Sequence, residues 1–251
     1  HLQRIFCAEF MKMSRNCIFF LILLIYFAAG DKIIMKVHHN FKNEVLFMKN
    51  FVITVERGFG SGGKTIGQSV AKQLGIKYYD EEILKMASDE SGINEKYFIR
   101  NDEKVKLPVF ARRGVFEGGV IPPDSKEFAS EENLFNYQAQ VLRKLAATES
   151  FVAIGRASNF VLADVDNVFS FNIQAPFDVC VKTVCERFSL SPAQAEKRIK
   201  KTDKERADFY YYYTGKRWSD STQFDLCLNS DRIGWDGCAE LIIEYVKNKI
   251  K

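Results

Sequence analysis

The sequence predicts an α/β fold, a three-layer sandwich in which helices cover both faces of a central parallel sheet of about five strands. Beyond residue 47 the chain alternates short β-branched or aromatic runs with amphipathic helical segments, a pattern typical of parallel sheets with helical crossovers. A glycine-rich turn follows the first predicted strand, and ligands of open α/β sheets bind at such turns. The composition, 47% hydrophobic and 27% charged, is that of an ordinary globular protein.

Charge and residue usage exclude several functional classes. The 251 residues suffice for one large domain or two small ones, and their net charge of +4 is too small to indicate nucleic-acid binding. All three histidines lie in the first 47 residues, which excludes a histidine base or zinc ligand from the rest of the chain. The later cysteines form no CxxC pair, so we expect small buried thiols in a reducing compartment.

Residues 1–47 are interpreted as an N-terminal extension that is signal-like or not part of the natural protein. Residues 17–29 are uncharged and mostly apolar and follow two basic residues, as in a signal peptide. They are shorter than the ~20 residues that span a membrane. We expect the domain to occupy 48–251 in the cytoplasm without stable membrane association, and an N-terminal membrane anchor is the alternative.

The first half of the domain shows strand and helix patterns in alternation. A buried strand is predicted at 51–56 and a helix over 65–75, where Gly75 provides the stop. A short strand at 76–80 and a helix over 81–92 follow. Residues 101–128 are rich in glycine and proline and predict a loop-rich insertion.

The second half continues the alternation. One helix is predicted to begin at Ser191-Pro192, with Gln194 placed for a capping box, and to run to Gly215. The tyrosine run 210–213 within it is expected to be divided between the core and the outer surface of a lid. The remaining predictions are a helix over 130–149, a strand over 151–155, a short helix to residue 164, a strand over 168–175, a helix over 177–188, a strand over 225–230 and a final amphipathic helix.

The turn after the first strand has the pattern G-x-x-x-x-G-K-T. Glycines let successive backbone N–H groups point at phosphate oxygens, and the following helix adds its positive end. A lysine in this pattern reaches the β- and γ-phosphates, and the adjacent threonine hydroxyl is a ligand for Mg²⁺. The sequence therefore predicts a phosphate loop that binds ATP and Mg²⁺ through Gly58, Phe59, Gly60, Ser61, Gly62, Gly63, Lys64 and Thr65, with Thr65 as the metal ligand.

Neither of the two following strand candidates ends in aspartate, so the acidic strand of transport-type ATPases is missing, and a small kinase is favoured. Such an enzyme needs a second pocket for its acceptor. Asp80 and Arg156 follow predicted strands directly, and an arginine fork suits a phosphate. We therefore expect these two residues to bind the acceptor.

A small kinase also needs cations that close over the transferring group. The charge-rich segment 187–217 is the candidate lid. Asp203 and Arg206 lie three residues apart on one predicted helix face and can pair. We expect Arg187, Asp203 and Arg206 to be catalytic together with Lys64.

Four strings together resemble the cytidylate kinase-like family over about residues 50–249: ITVERGFGSGGKTIGQSVAKQLGIKYYDEEIL, AIGRASNFVLAD, SPAQAEKRIKKTDKERADFYYYYTGKRWSD and DLCLNSDRIGWDGCAELI. The resemblance implies a nucleoside monophosphate kinase fold of the P-loop NTPase type and transfer of the ATP γ-phosphoryl group to CMP or dCMP. Arg156 matches the family's acceptor-phosphate arginine, and Arg187, Asp203 and Arg206 match its lid arginines and acid. Ile154 stands where cytidylate kinases carry an aspartate that helps to hold hydrated Mg²⁺.

Two alternatives to a cytidylate kinase stay open. One is a P-loop kinase of another small acceptor. The other is a nucleotide-binding regulatory protein without transferase activity, which Ile154 favours and which the intact Lys64 and Thr65 argue against. In each case we expect small-molecule nucleotide partners and no nucleic acid.

Overall fold

A computed structural model describes residues 50–105 and 119–250. Five strands form one sheet in the order β2-β3-β1-β4-β5, and every pairing is parallel. The predicted α/β sandwich with about five parallel strands is confirmed. The strands are β1 (Val52–Arg57), β2 (Lys77–Tyr79), β3 (Phe151–Ile154), β4 (Val168–Gln174) and β5 (Leu226–Asn229).

Strand β1 lies at the centre of the sheet, which explains where the phosphate loop is positioned. Val52 is aligned with Phe151 of β3 on one side and with Val168 of β4 on the other. Every residue of β1 is buried. The loop that leaves β1 therefore emerges between the carboxyl ends of its two neighbours, at the edge where open α/β sheets bind ligands.

Helices cover both faces of the sheet. The prediction missed two of them, α3 with six residues and α8 with four, because such short helices carry little periodicity. The helices are α1 (Gly63–Leu74), α2 (Glu82–Ser91), α3 (Glu95–Arg100), α4 (Glu131–Thr148), α5 (Ser158–Val161), α6 (Phe177–Phe188), α7 (Pro192–Thr214), α8 (Ser230–Ile233) and α9 (Trp235–Lys249).

Two apolar layers hold the helices to the sheet. Alternate residues of β1 point to opposite faces: Ile53 packs with α1 and α9, whereas Val52 packs with α2, α4 and α7. A smaller apolar cluster, which includes Val184 and Ile199, joins α6 to α7. The α6–α7 pair thus has its own contact outside the two main layers.

Helix α7 begins and ends as predicted. Ser191 and Gln194 form the capping box, and Gly215 closes the helix in a left-handed conformation. The even division expected for the tyrosine run 210–213 is wrong, since Tyr210, Tyr212 and Tyr213 are all buried. Tyr212 donates a hydrogen bond to Glu132 of α4, and Tyr213 stacks on Phe135 of the same helix, whereas the hydroxyl of Tyr210 accepts from Asn159 of α5. The predicted lid range 187–217 therefore includes a half-helix that belongs to the core.

Two predicted segments lie wholly or partly outside the described residues. The N-terminal extension 1–47 is not described, nor are residues 106–118 of the predicted insertion 101–128. Within 50–105 and 119–250, no helix combines the length and apolar character needed to cross a membrane.

Candidate active site

The phosphate loop requires glycine at two positions. Gly60 and Gly62 have φ angles of 92° and 83°, a left-handed conformation that other residues adopt only with strain. Space is short as well: a Cβ atom on Gly60 would lie 2.8 Å from the carbonyl oxygen of Cys180, and one on Gly62 would lie 2.4 Å from the ring of Trp235. The loop is therefore packed tightly between α6 and the start of α9.

A cavity of about 370 Å³ opens above this loop, within the size range of small-molecule sites. Lys64 lies at its floor. On one side it has a cationic wall, which we define as Arg187 of α6 and Arg198 of α7. On the other side it has an acidic wall, which we define by four carboxylates: Asp80, Glu81, Asp102 and Glu103.

Lys64 contacts the acidic wall. Its Nζ lies 2.6 Å from Oδ2 of Asp80 and 3.7 Å from Oε1 of Glu81. The other oxygen of Asp80 accepts a hydrogen bond of 3.0 Å from Nη1 of Arg156. Burial raises the pKa of Asp80, but Arg156 and Lys64 outweigh burial and hold that pKa below its ordinary value. The structure thus brings together the predicted residues Lys64, Asp80 and Arg156.

Arg156 lies behind the acidic wall. Its side chain is 2% exposed, and it is not among the described residues that line the cavity. Nη2 donates to Oδ2 of Asp102 at 3.0 Å, so two carboxylates hold one guanidinium. Arg156 and Ala157 both have positive φ angles. The predicted acceptor arginine is therefore already engaged by protein carboxylates.

Glu103 is the most heavily bonded carboxylate of the site. It accepts hydrogen bonds from Nη1 and Nη2 of Arg57 at 2.5 and 2.9 Å, from Nε of Arg206 at 3.0 Å and from the backbone N–H of Arg156 at 3.1 Å. Burial raises the pKa of Glu103, but Arg57 and Arg206 outweigh burial and hold it well below its ordinary range. Sequence reasoning missed Glu103 and Arg57, because only the fold brings the insertion to the end of β1.

The predicted pair Asp203 and Arg206 attaches α7 to the phosphate loop. Oδ1 of Asp203 accepts the backbone N–H of Phe59 at 2.7 Å and lies 4.0 Å from Nη1 of Arg206. Nη1 of Arg206 also donates to the carbonyl oxygen of Arg57 at 3.2 Å. Burial raises the pKa of Asp203. Both side chains therefore connect α7 to the segment that carries the loop.

The cationic wall is held by aromatic rings. The guanidinium of Arg198 lies 4.0 Å from the ring centre of Phe188 and 5.3 Å from that of Phe59, distances typical of cation–π contact. These two rings stack at 5.9 Å. Within the described ranges, neither Arg187 nor Arg198 enters an ion pair. Sequence reasoning identified Arg187 but missed Arg198, which looked like one more charge on a solvated helix.

The metal prediction rests on Thr65, which is half-buried in the first turn of α1. Among the described residues, no group of three or more His, Cys, Asp or Glu side chains is placed to hold a metal ion. Ile154 is buried against Gly67 of α1. Proteins commonly hold Mg²⁺ through one or two side chains and substrate phosphates. The donor set fits an ion held by the Thr65 hydroxyl and phosphate oxygens.

Comparisons with known proteins concern the fold and the family of this chain. An uncharacterized protein from Eubacterium ventriosum ATCC 27560 has a solved structure that is 25% identical, with 80% of this chain and 100% of that one covered and a TM-score of 0.59. Shikimate kinase from Acinetobacter baumannii in complex with shikimate is 14% identical, with 83% and 99% covered and a TM-score of 0.46. No curated protein matches the sequence. The family match extends over residues 52–232, and the chain belongs to the cytidylate kinase-like family.

Proposed function

We propose that this protein transfers the γ-phosphoryl group of ATP to a small acceptor and that the acceptor is CMP or dCMP. One observation carries the proposal: a lysine-bearing phosphate loop opens onto a cavity whose opposite side presents Arg187 and Arg198 without carboxylate partners among the described residues. Membership of the cytidylate kinase-like family supports a P-loop kinase. Cations around a transferring phosphoryl group stabilise the charge that it carries.

The residues of the site perform the transfer by position and charge. Loop N–H groups bind the phosphates, and Lys64 exchanges its contact with Asp80 for the β- and γ-phosphate oxygens. Arg187 and Arg198 face the same space from α6 and α7. A bound Mg²⁺ ion, with Thr65 as its protein ligand, would neutralise phosphate charge. The bond between the γ-phosphorus and the ADP oxygen breaks as a bond to an acceptor phosphate oxygen forms.

The acceptor is proposed to bind near the ends of β2 and β3, where Asp80 and Arg156 lie. A phosphate acceptor is already anionic and needs no strong base. A second candidate is a P-loop kinase of another small acceptor. It is favoured by one observation, that Asp80 and Asp102 already hold the Arg156 guanidinium.

The test is an acceptor panel with the full chain, ATP and Mg²⁺. CMP, dCMP, UMP, AMP and GMP are supplied separately, and ADP formation is followed. We expect ADP to form with CMP or dCMP. Lys64→Ala is expected to lower kcat/KM by at least ~100-fold, because the substitution removes a cation that stabilises the charge of the transition state. Lys72→Ala, an exposed lysine at the far end of α1, is the matched control. The proposal would be contradicted if none of the five acceptors supported the formation of ADP.

We propose the cytoplasm as the compartment of this reaction. ATP is plentiful there, and the described cysteines, Cys180, Cys185, Cys227 and Cys238, are all free thiols, as expected where thiols stay reduced. The partners proposed are small-molecule nucleotides. The near balance of basic and acidic residues, 36 against 32, supports the absence of nucleic-acid binding.

A further inference from the structure

The carboxylate of Glu103 is bound in the way that proteins bind a phosphate group. One arginine, Arg57, holds both of its oxygens through two parallel N–H groups at 2.5 and 2.9 Å. A second arginine and a backbone N–H add contacts of 3.0 and 3.1 Å. Paired arginine forks and backbone N–H groups are the donors that recognise phosphate oxygens. Without Glu103 these donors would present two guanidinium groups and a backbone N–H to an anion, with the Asp203 carboxylate 4.0 Å from Nη1 of Arg206.

This group of donors is continuous with the phosphate loop. Arg57 is the residue immediately before the loop, and Arg206 donates to its carbonyl oxygen. Arg57, Glu103 and Arg206 line the same cavity as Lys64. An acceptor phosphate held here would lie beside the phosphates of a nucleotide in the loop, as transfer between two phosphate groups requires.

The segment that delivers Glu103 is held at a conformational cost. Glu103 has a φ angle of 49°, in the left-handed region that is unfavourable for residues other than glycine. Its neighbour Asp102 has one buried oxygen, Oδ1, without a hydrogen-bond partner among the described residues, and burial raises the pKa of Asp102 to about 6. A turn with these defects depends on its arginine contacts, which a competing anion would remove.

We propose that Arg57, Arg206 and the backbone N–H of Arg156 form the subsite for the phosphate group of the acceptor, and that Glu103 occupies this subsite when no acceptor is bound. The identity of the acceptor rests on the function proposed above, whereas the subsite itself requires only an anion of the phosphate class. Binding must then displace Glu103, so the apparent affinity falls by the fraction of molecules in which the subsite is open.

The experiment compares the thermal unfolding of the full-length wild type with that of Glu103→Gln, in chloride and in inorganic phosphate at equal ionic strength. Glu103→Gln removes the competing charge and leaves the arginines. We expect phosphate to raise the Tm of Glu103→Gln by about 3 °C or more beyond its effect on the wild type, because ligand binding to the folded state is stabilising. The matched control is Glu149→Gln, in which a half-buried carboxylate loses Lys77 and Tyr79 away from the cavity.

An equal effect of phosphate on all three proteins would overturn the proposal, because Glu103 would then be only a structural ion-pair partner. If Glu103→Gln does not fold in chloride, refolding in phosphate gives the answer: recovery supports the subsite, and failure to recover contradicts it. Glu103→Asp is the second variant. Its shorter side chain cannot span both arginines, so we expect the KM for the acceptor to fall about ten-fold relative to the wild type, and an unchanged KM contradicts the proposal.

Further arms separate this inference from the proposed function and identify which phosphate binds. CMP is compared with cytidine, which lacks the phosphate, and with ADP, which occupies the loop. Stabilisation of Glu103→Gln by CMP and phosphate but not by cytidine supports the acceptor subsite. Stabilisation by phosphate without preference for CMP retains the subsite and contradicts the cytidylate acceptor. A stabilisation by ADP that is larger in Glu103→Gln than in the wild type, with no such gain from CMP, assigns the donors to the nucleotide and overturns the acceptor assignment.

Discussion

Arg198 shows how one side chain acquires a position that its neighbours in sequence do not indicate. It lies in a run of charged residues on α7, yet its guanidinium rests on the rings of Phe188 and Phe59 and faces the cavity. Phe59 belongs to the phosphate loop itself. The two rings therefore fix an arginine beside the place where phosphate charge would accumulate.

The first residue-scale prediction concerns this arginine. Arg198→Ala is expected to weaken binding of ATP about ten-fold and to lower kcat further, because it removes a cation close to the transferring group. Isothermal titration with ATP measures the change in affinity, and steady-state kinetics measures the change in kcat. Lys201→Ala, on the same helix but exposed and paired with Glu205, is the control. Equal ATP affinity in the wild type and Arg198→Ala would show that the wall does not contact the nucleotide.

The second residue-scale prediction concerns Glu56, which is buried at the end of β1. Burial and, next, the neighbouring Glu103 raise the pKa of Glu56 from 4.5 to about 7, against the lowering effect of Arg57 and Arg206. At a pH between these two pKa values the folded state binds more protons than the unfolded state. The free energy of unfolding therefore falls as the pH rises through that range. Wild-type protein should lose on the order of 3 kcal/mol of unfolding free energy relative to Glu56→Gln between pH ~4 and ~8. Urea titrations of both proteins across that range measure the difference, and parallel pH profiles would contradict it.

At the scale of elements, strands and helix ends were predictable because their signals are local. Gly75 and Gly215 end α1 and α7 in left-handed conformations, and Ser191 with Gln194 forms the capping box expected from their spacing. Of the acidic wall, only Asp80 was identified from the sequence. Glu103 joins partners 46 and 103 residues away in the chain, and no local pattern encodes such contacts.

The element-scale prediction tests the start of α7. Ser191→Ala removes the side chain that accepts the backbone N–H of Gln194, and the loss of such a cap is expected to cost about 1 kcal/mol of stability. Chemical denaturation measures the loss. Gln194→Ala, which removes the reciprocal half of the box, should cost less. If Ser191→Ala is as stable as the wild type, the cap does not contribute to the stability of the α6–α7 unit.

At the scale of the whole molecule, the sheet positions a charged cavity between two walls of opposite sign. The phosphate loop leaves the central strand, the cationic wall comes from α6 and α7, and the acidic wall comes from the ends of β2 and α3. The sequence predicted the first of these fully and the second in part, since Arg187 was identified and Arg198 was not. The catalytic role expected of Asp203 and Arg206 stays a prediction, and in the structure their contacts fasten α7 to the loop.

The central claim is that the two sides of this cavity serve one phosphoryl transfer. Phosphorus NMR of the full chain with ATP, Mg²⁺ and CMP tests it directly, because the method distinguishes ADP, CDP and inorganic phosphate in one sample. The account predicts that ADP and CDP appear in equal amounts and that neither forms with Lys64→Ala. ADP accompanied by inorganic phosphate alone, or ATP that is bound and left unchanged, would contradict it.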